Sequence, residues 1–109
     1  MKSLIWISYD LGLKGDYEGL YSWLDLHGAK ECGDSVGFVS YEWKTNLFLE
    51  LQKDIKKSVK ITPKNRIYVI IPSDNSSKKY IGKFLFGNRK ASPWEGSAIK
   101  RVISDEFDG

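Results

Sequence analysis

Cysteine, histidine and methionine occur once each, and proline three times, in these 109 residues. A lone Cys32 forms no internal disulfide, so the chain is no disulfide scaffold, and such usage fits a reducing compartment, the cytoplasm. Cys32 has no partner for zinc and no basic neighbour to activate its thiol, and reads as a small buried residue. Long apolar runs are also missing. The longest spans residues 67–71, far short of the ~20 needed to cross a bilayer. Leu4, Ile5, Trp6 and Ile7 follow a basic start, but Ser8, Tyr9 and Asp10 end that run too early for a secretory leader, so none is expected. What is present, 41% hydrophobic and 28% charged residues, excludes disorder and collagen-like repeats. It suits one domain whose core buries about 65% of the unfolded chain's surface.

The net charge of +3 is unevenly spread: residues 1–43 carry −4, residues 44–66 carry +5 and residues 67–109 carry +2. Lys53, Lys56, Lys57, Lys60, Lys64 and Arg66 form either a stripe that neutralises phosphates or the solvated face of a helix and its exit loop. A third use is attraction between the acidic and basic parts of two subunits.

Residues 3–9 are β-branched and aromatic and too short for a helix, which predicts a strand with both faces largely covered. Asp10 ends it. Gly12 and Gly15 supply a turn, and Asp16 is placed to cap a helix carrying Tyr17, Leu20, Tyr21 and Leu24, with Gly28 as its stop. Residues 29–41 return to a β pattern, interrupted at Gly33, Asp34 and Ser35. Thr45 or Asn46 caps a second helix whose apolar face is Leu47, Phe48, Leu51 and Ile55. Residues 66–71 form the clearest strand, ended by Pro72, and residues 73–79 read as a polar connector. Residues 80–86 alternate, with Tyr80, Gly82, Phe84 and Phe86 on one face and Ile81, Lys83 and Leu85 on the other. Pro93 and Trp94 form a turn with an aromatic anchor, and Ala98, Ile99, Val102 and Ile103 a short helical face or a last strand.

The order is strand, helix, strand, helix, strand, strand, and it predicts the α+β class with a ferredoxin-like sandwich, an antiparallel sheet with two helices packed on one face. The parent order, β-α-β-β-α-β, is met in one of two ways. Either the strand from Arg66 is the third of the parent order and an extra strand follows, or residues 29–41 fold as a hairpin about residues 33–37. Residues 1–86 make the domain and residues 87–109 a C-terminal tail that packs on the domain or on a dimer partner.

Ile7, Ser8, Tyr9, Asp10 and Leu11, followed by the Tyr17, Leu20 and Leu24 helix, Gly28, Ala29, and Asp34, Ser35 and Val36, carry a likeness. Over residues 3–72 the chain resembles small proteins related to the second CRISPR-associated protein and to virulence-associated protein D. The resemblance implies a ferredoxin-like homodimer, and a metal-dependent endonuclease in which an Asp at the end of the first strand is catalytic. Asp10 holds that position. Other members of that family act as DNA-binding scaffolds without catalysis. Glu31 and Asp34 make acidic a segment where the family commonly carries basic residues.

Two copies of Asp10 brought together by a two-fold axis would share one Mg2+, whereas alone Asp10 reads as the cap of its own turn. Gly12 and Gly15 match neither the P-loop nor the dinucleotide fingerprint and read as a plain turn. His27 reads as a helix-end histidine, and without a nucleophile-elbow sequence a triad with Ser35 is not expected. The aromatic residues, including Trp6, Trp23, Trp43, Trp94, Tyr41, Tyr68 and Tyr80, fill a core, cover a dimer interface or stack bases.

The expectation is therefore a cytoplasmic homodimer that binds or cuts nucleic acid. Its catalytic and metal residue is Asp10, its cofactor Mg2+, and its phosphate contacts Lys53, Lys56, Lys57, Arg89 and Lys90. The competing expectation is a non-enzymatic protein-interaction module of a toxin–antitoxin or defence system.

Overall fold

Alternating and helical apolar periods take turns along the chain, and the computed structural model turns them into five strands and two principal helices. It describes residues 1–73, 76–89 and 91–99, without the side chains of residues 76 and 77. The order is β1 (Lys2–Asp10), α1 (Tyr17–Leu26), β2 (Lys30–Gly33), β3 (Val36–Glu42), α2 (Leu47–Ser58), β4 (Arg66–Ser73) and β5 (Ser76–Phe86). Every pairing is antiparallel, and the strands lie in the order β2-β3-β1-β4-β5. Residues 29–41 form the hairpin, turning at Ser35, whose φ is 61°.

Both helices start where a side-chain oxygen satisfies free backbone amides. Asp16 accepts from the Gly19 N–H at 3.0 Å and, with its other oxygen, from the Lys60 N–H at 2.9 Å. One carboxylate thus caps α1 and fastens it to the chain leaving α2. The helices approach so closely there that a Cβ on Gly19 would strike the Ser58 carbonyl. Asn46 caps α2, and Glu50 in its first turn reaches back to the amides of Lys44, Thr45 and Asn46. Gly28, at φ 70°, ends α1.

The core joins Leu20 and Trp23 of α1, and Leu47, Leu51 and Ile55 of α2, to alternate strand residues: Ile5 and Ile7, Val39 and Tyr41, Ile67, Val69 and Ile71. Each fully buried Ile or Leu contributes about 1.5–3 kcal/mol. Because strand side chains alternate, Leu4, Trp6, Ser8 and Asp10 face away from this core. Leu4 and Ile70 are 40% exposed and Tyr80 is 43% exposed. So β1 is covered on one face only, against the expectation of two, because both helices contribute to the same core.

Further expectations change. Trp23 takes the buried place on α1, and Tyr21 is exposed. Pro72 does not end β4: it lies beyond the last β1–β4 pair, Trp6 with Ile70, where a missing N–H breaks no bond to β1. The polar connector is largely strand, since β5 begins at Ser76. A register shift between Ile67 and Tyr68 turns Leu85 and Phe86 both towards the core, ending the simple alternation. Cys32 is exposed rather than buried, on the edge strand β2. In the tail, residues 93–96 form the turn, in which Trp94 is 73% exposed within the single chain. Residues 97–99 are helical, while Val102 and Ile103 lie outside the described residues. No helix among the described residues is long and apolar enough to cross a membrane.

Candidate functional site

Asp10 closes β1 opposite Arg66, the first residue of β4. Both face away from the core, and the Arg66 Nη2 donates to Asp10 Oδ2 at 2.5 Å. The other oxygen, Oδ1, accepts from the Gly12 N–H at 3.1 Å. The Gly12 amide and then the Arg66 guanidinium, with Arg89's charge added, hold the Asp10 carboxyl below the usual carboxylate range. Asp10 is therefore the cap of its own turn and an ion-pair partner, with 55% of its side chain still exposed.

The loops behind the pair are fixed by Asn65, a buried polar side chain. Its Nδ2 donates to the Leu11 carbonyl at 3.1 Å, and its Oδ1 accepts from the Thr62 N–H at 2.8 Å. Asn65 precedes Arg66 and Leu11 follows Asp10, so one buried amide locks the two ends of the pair. Gly87, at φ 76°, passes so close that a Cβ would strike the Asn65 carbonyl.

A cavity of about 290 Å3 opens here, lined by Ser8, Asp10, Arg66, Tyr68, Phe84 and Arg89, with Tyr9 at its edge. Tyr68 lies across β5 over Gly82, where any Cβ would collide with its ring, and Phe84 meets it edge-on at 5.0 Å. Further along, the open face carries an apolar patch, bordered by Ser40 and the Lys2–Glu42 ion pair. Trp6 contacts Tyr80 edge-on at 5.6 Å, beside Ile70 and Leu4.

Of the expected contacts, Arg89 joins Asp10. Lys53, Lys56 and Lys57 do not: they are exposed on α2, on the helical side of the sheet. Lys90 lies outside the described residues. Arg66 belongs to Asp10 rather than to a stripe with those lysines. Tyr68 and Asn65 were not expected beside Asp10. The available signal was an acid ending one strand and a base opening another, each at the boundary of a β run.

Two other clusters lie on the helical side. A cavity of about 620 Å3 between α1 and the hairpin is lined by Tyr9 and Tyr21 and by Asp25, Lys30, Glu31 and Asp34. Burial foremost, then Tyr21 and Glu31, raises the Tyr9 pKa. Its acidic lining does not suit phosphate. Ser35 lies in its rim, away from any triad, because His27 stacks on Trp23 at 4.1 Å and faces Asp54 at 3.4 Å. Tyr41 donates to the same Asp54, and burial with that carboxylate pushes its pKa up.

The implied Mg2+ can be tested against the donor set. Among the described residues no group of three or more His, Cys, Asp or Glu is arranged to hold a metal ion. Asp10, with one oxygen on a guanidinium and the other on an amide, does not fit a hard cation that takes six oxygen ligands. No family model, curated protein or solved structure matches the chain.

Proposed function

We propose that this chain is a cytoplasmic, ferredoxin-like protein that binds nucleic acid as a homodimer. The observation that carries the reading is the convergence of Arg66, Arg89, Tyr68 and Phe84 on the open sheet face beside Asp10. Guanidiniums bind phosphate oxygens and aromatic rings stack on bases, so this grouping recognises both parts of a nucleotide. The ferredoxin-like assignment rests on the strand order, since β2-β3-β1-β4 is what β-α-β-β-α-β connectivity yields, with β5 added at the β4 edge. The homodimer accounts for the apolar half of the open face, where a second copy would cover Leu4, Trp6, Ile70 and Tyr80.

Binding is favoured over cleavage because Asp10 is engaged by Arg66 and Gly12. Phosphate contact is assigned to Arg66 and Arg89, with Lys53, Lys56 and Lys57 as outlying contacts. Labelled single- and double-stranded DNA and RNA, incubated with the wild type and Asp10→Asn in Mg2+ or chelator, test the reading. Retained binding without cleavage is expected. Metal-dependent cleavage by the wild type alone restores the endonuclease, and absence of any binding leaves the protein-interaction module.

A further inference from the structure

The cavity at Asp10 holds two guanidiniums against one carboxylate, and that imbalance defines what fits it. Arg66 is neutralised by Asp10. Arg89 lies close enough for its charge to act on Asp10, yet has no ion pair among the described residues. A ligand oxygen that takes the Nη2 position of Arg66 replaces Asp10 Oδ2 there. A phosphodiester brings one negative charge and merely exchanges anion for anion. A phosphomonoester, with a second pKa near 6, carries close to two charges at neutral pH and three acceptor oxygens, enough to engage both arginines at once. The Ser8 hydroxyl adds a donor on the same wall.

The walls are as specific as the charges. Tyr68 is laid flat by the absence of a side chain at Gly82 and braced by Phe84, so an aromatic surface adjoins the guanidiniums. At about 290 Å3 the cavity stands at the lower end of small-ligand sites. It suits one nucleotide unit rather than a length of strand.

We infer that this cavity is a seat for a phosphorylated nucleotide end, in which Arg66 and Arg89 hold the terminal phosphate, Tyr68 supports the nucleoside, and Asp10 is a placeholder that orients Arg66 until the phosphate displaces it. The inference deepens the nucleic-acid reading and rests on it for the strand that follows the end. The same chemistry is offered by a free nucleoside 5′-monophosphate. Asp10 acquires a sign opposite to that of a metal ligand: removing its charge strengthens binding.

The test titrates the full-length chain, in phosphate-free buffer at pH 7.5 with chelator, against one single-stranded oligonucleotide carrying or lacking a 5′-phosphate. Adenosine 5′-monophosphate and adenosine are run alongside. The phosphorylated oligonucleotide is expected to bind about tenfold or more tightly than its unphosphorylated form, the loss expected for a charged hydrogen-bonded contact. Arg89→Ala, an exposed residue whose change spares the core, erases that difference, while Asp10→Asn widens it. Equal affinity for the two oligonucleotides overturns the inference and leaves the nucleic-acid reading standing. Binding of adenosine 5′-monophosphate over adenosine, with neither oligonucleotide bound, overturns the nucleic-acid reading and keeps the phosphate seat. Weaker binding by Asp10→Asn also overturns the inference, since the carboxylate would then be a ligand contact and not a placeholder.

Discussion

The two faces of the one sheet are built for different ends. On the helical face Ile5, Ile7, Ile67 and Val69 are wholly buried, and the nearby carboxylates of Asp16 and Asp54 each serve more than one partner. On the open face the same strands, with Tyr80 of β5, present Leu4, Trp6 and Ile70 at one end, and Ser8, Asp10, Arg66 and Tyr68 at the other. The contrast separates the face that holds the fold from the face to which recognition is assigned above. The buried face holds the fold, so the open face is free to carry an incompletely covered apolar patch and an unbalanced pair of arginines.

Truncation should separate the faces first. Leu51→Ala is expected to cost about 2–5 kcal/mol of unfolding free energy, and Ile70→Ala under about 1 kcal/mol in dilute protein, read by urea denaturation. Equal costs would mean that the open face is already sealed in the folded unit. Asn65→Ala, which frees the Leu11 carbonyl and the Thr62 amide, should cost about 1–3 kcal/mol. It should also weaken nucleotide binding, because it loosens both ends of the Asp10–Arg66 pair. A loss of stability with binding unchanged would sever the loop lock from the site.

Salt sharpens the comparison further. The two proposed phosphate contacts, at Arg66 and Arg89, predict a slope of about −1.4 in log K against log salt for a single strand, whereas adding the three α2 lysines predicts about −3.5. The smallest effect is expected from acid. Hydrogen bonds hold Asp10, Asp16 and Glu50 below the usual carboxylate range. In that interval the unfolded chain binds more protons than the folded one, so stability is full above the ordinary carboxylate pKa, near 4, and falls as pH drops through the lowered values. Thermal melts between pH 7 and 3 should show the decline. For Asp16→Asn and Glu50→Gln it should be shallower.

Much of the frame was legible in the sequence because local chemistry dictates it. The Asp16 and Asn46 caps, the Gly28 stop and the Leu47, Leu51 and Ile55 face depend on neighbours within one turn. The hairpin at residues 30–42 was open between two alternatives, since a short edge strand with no buried side chain leaves little periodic signal. Pro72 misled because its effect depends on whether a neighbouring strand needs its N–H, which only the β1–β4 register decides. Asp10 was singled out, but its partner is 56 positions away. Arg66 sat in a run of lysines and was grouped with them, although strand alternation sends it to the opposite side. The Tyr68 ring over Gly82 is likewise a cross-strand relation between positions whose separate patterns suggest only alternation.

The central claim is that recognition belongs to the open face. Affinity for a labelled 5′-phosphorylated single-stranded oligonucleotide, compared between an Arg66→Ala, Arg89→Ala double variant and a Lys53→Ala, Lys56→Ala, Lys57→Ala triple variant, tests it most directly. The account predicts that the arginine variant loses about tenfold or more and the lysine variant much less. The reverse ranking, with the lysine variant crippled and the arginine variant unaffected, would place the binding surface on α2 and contradict the account.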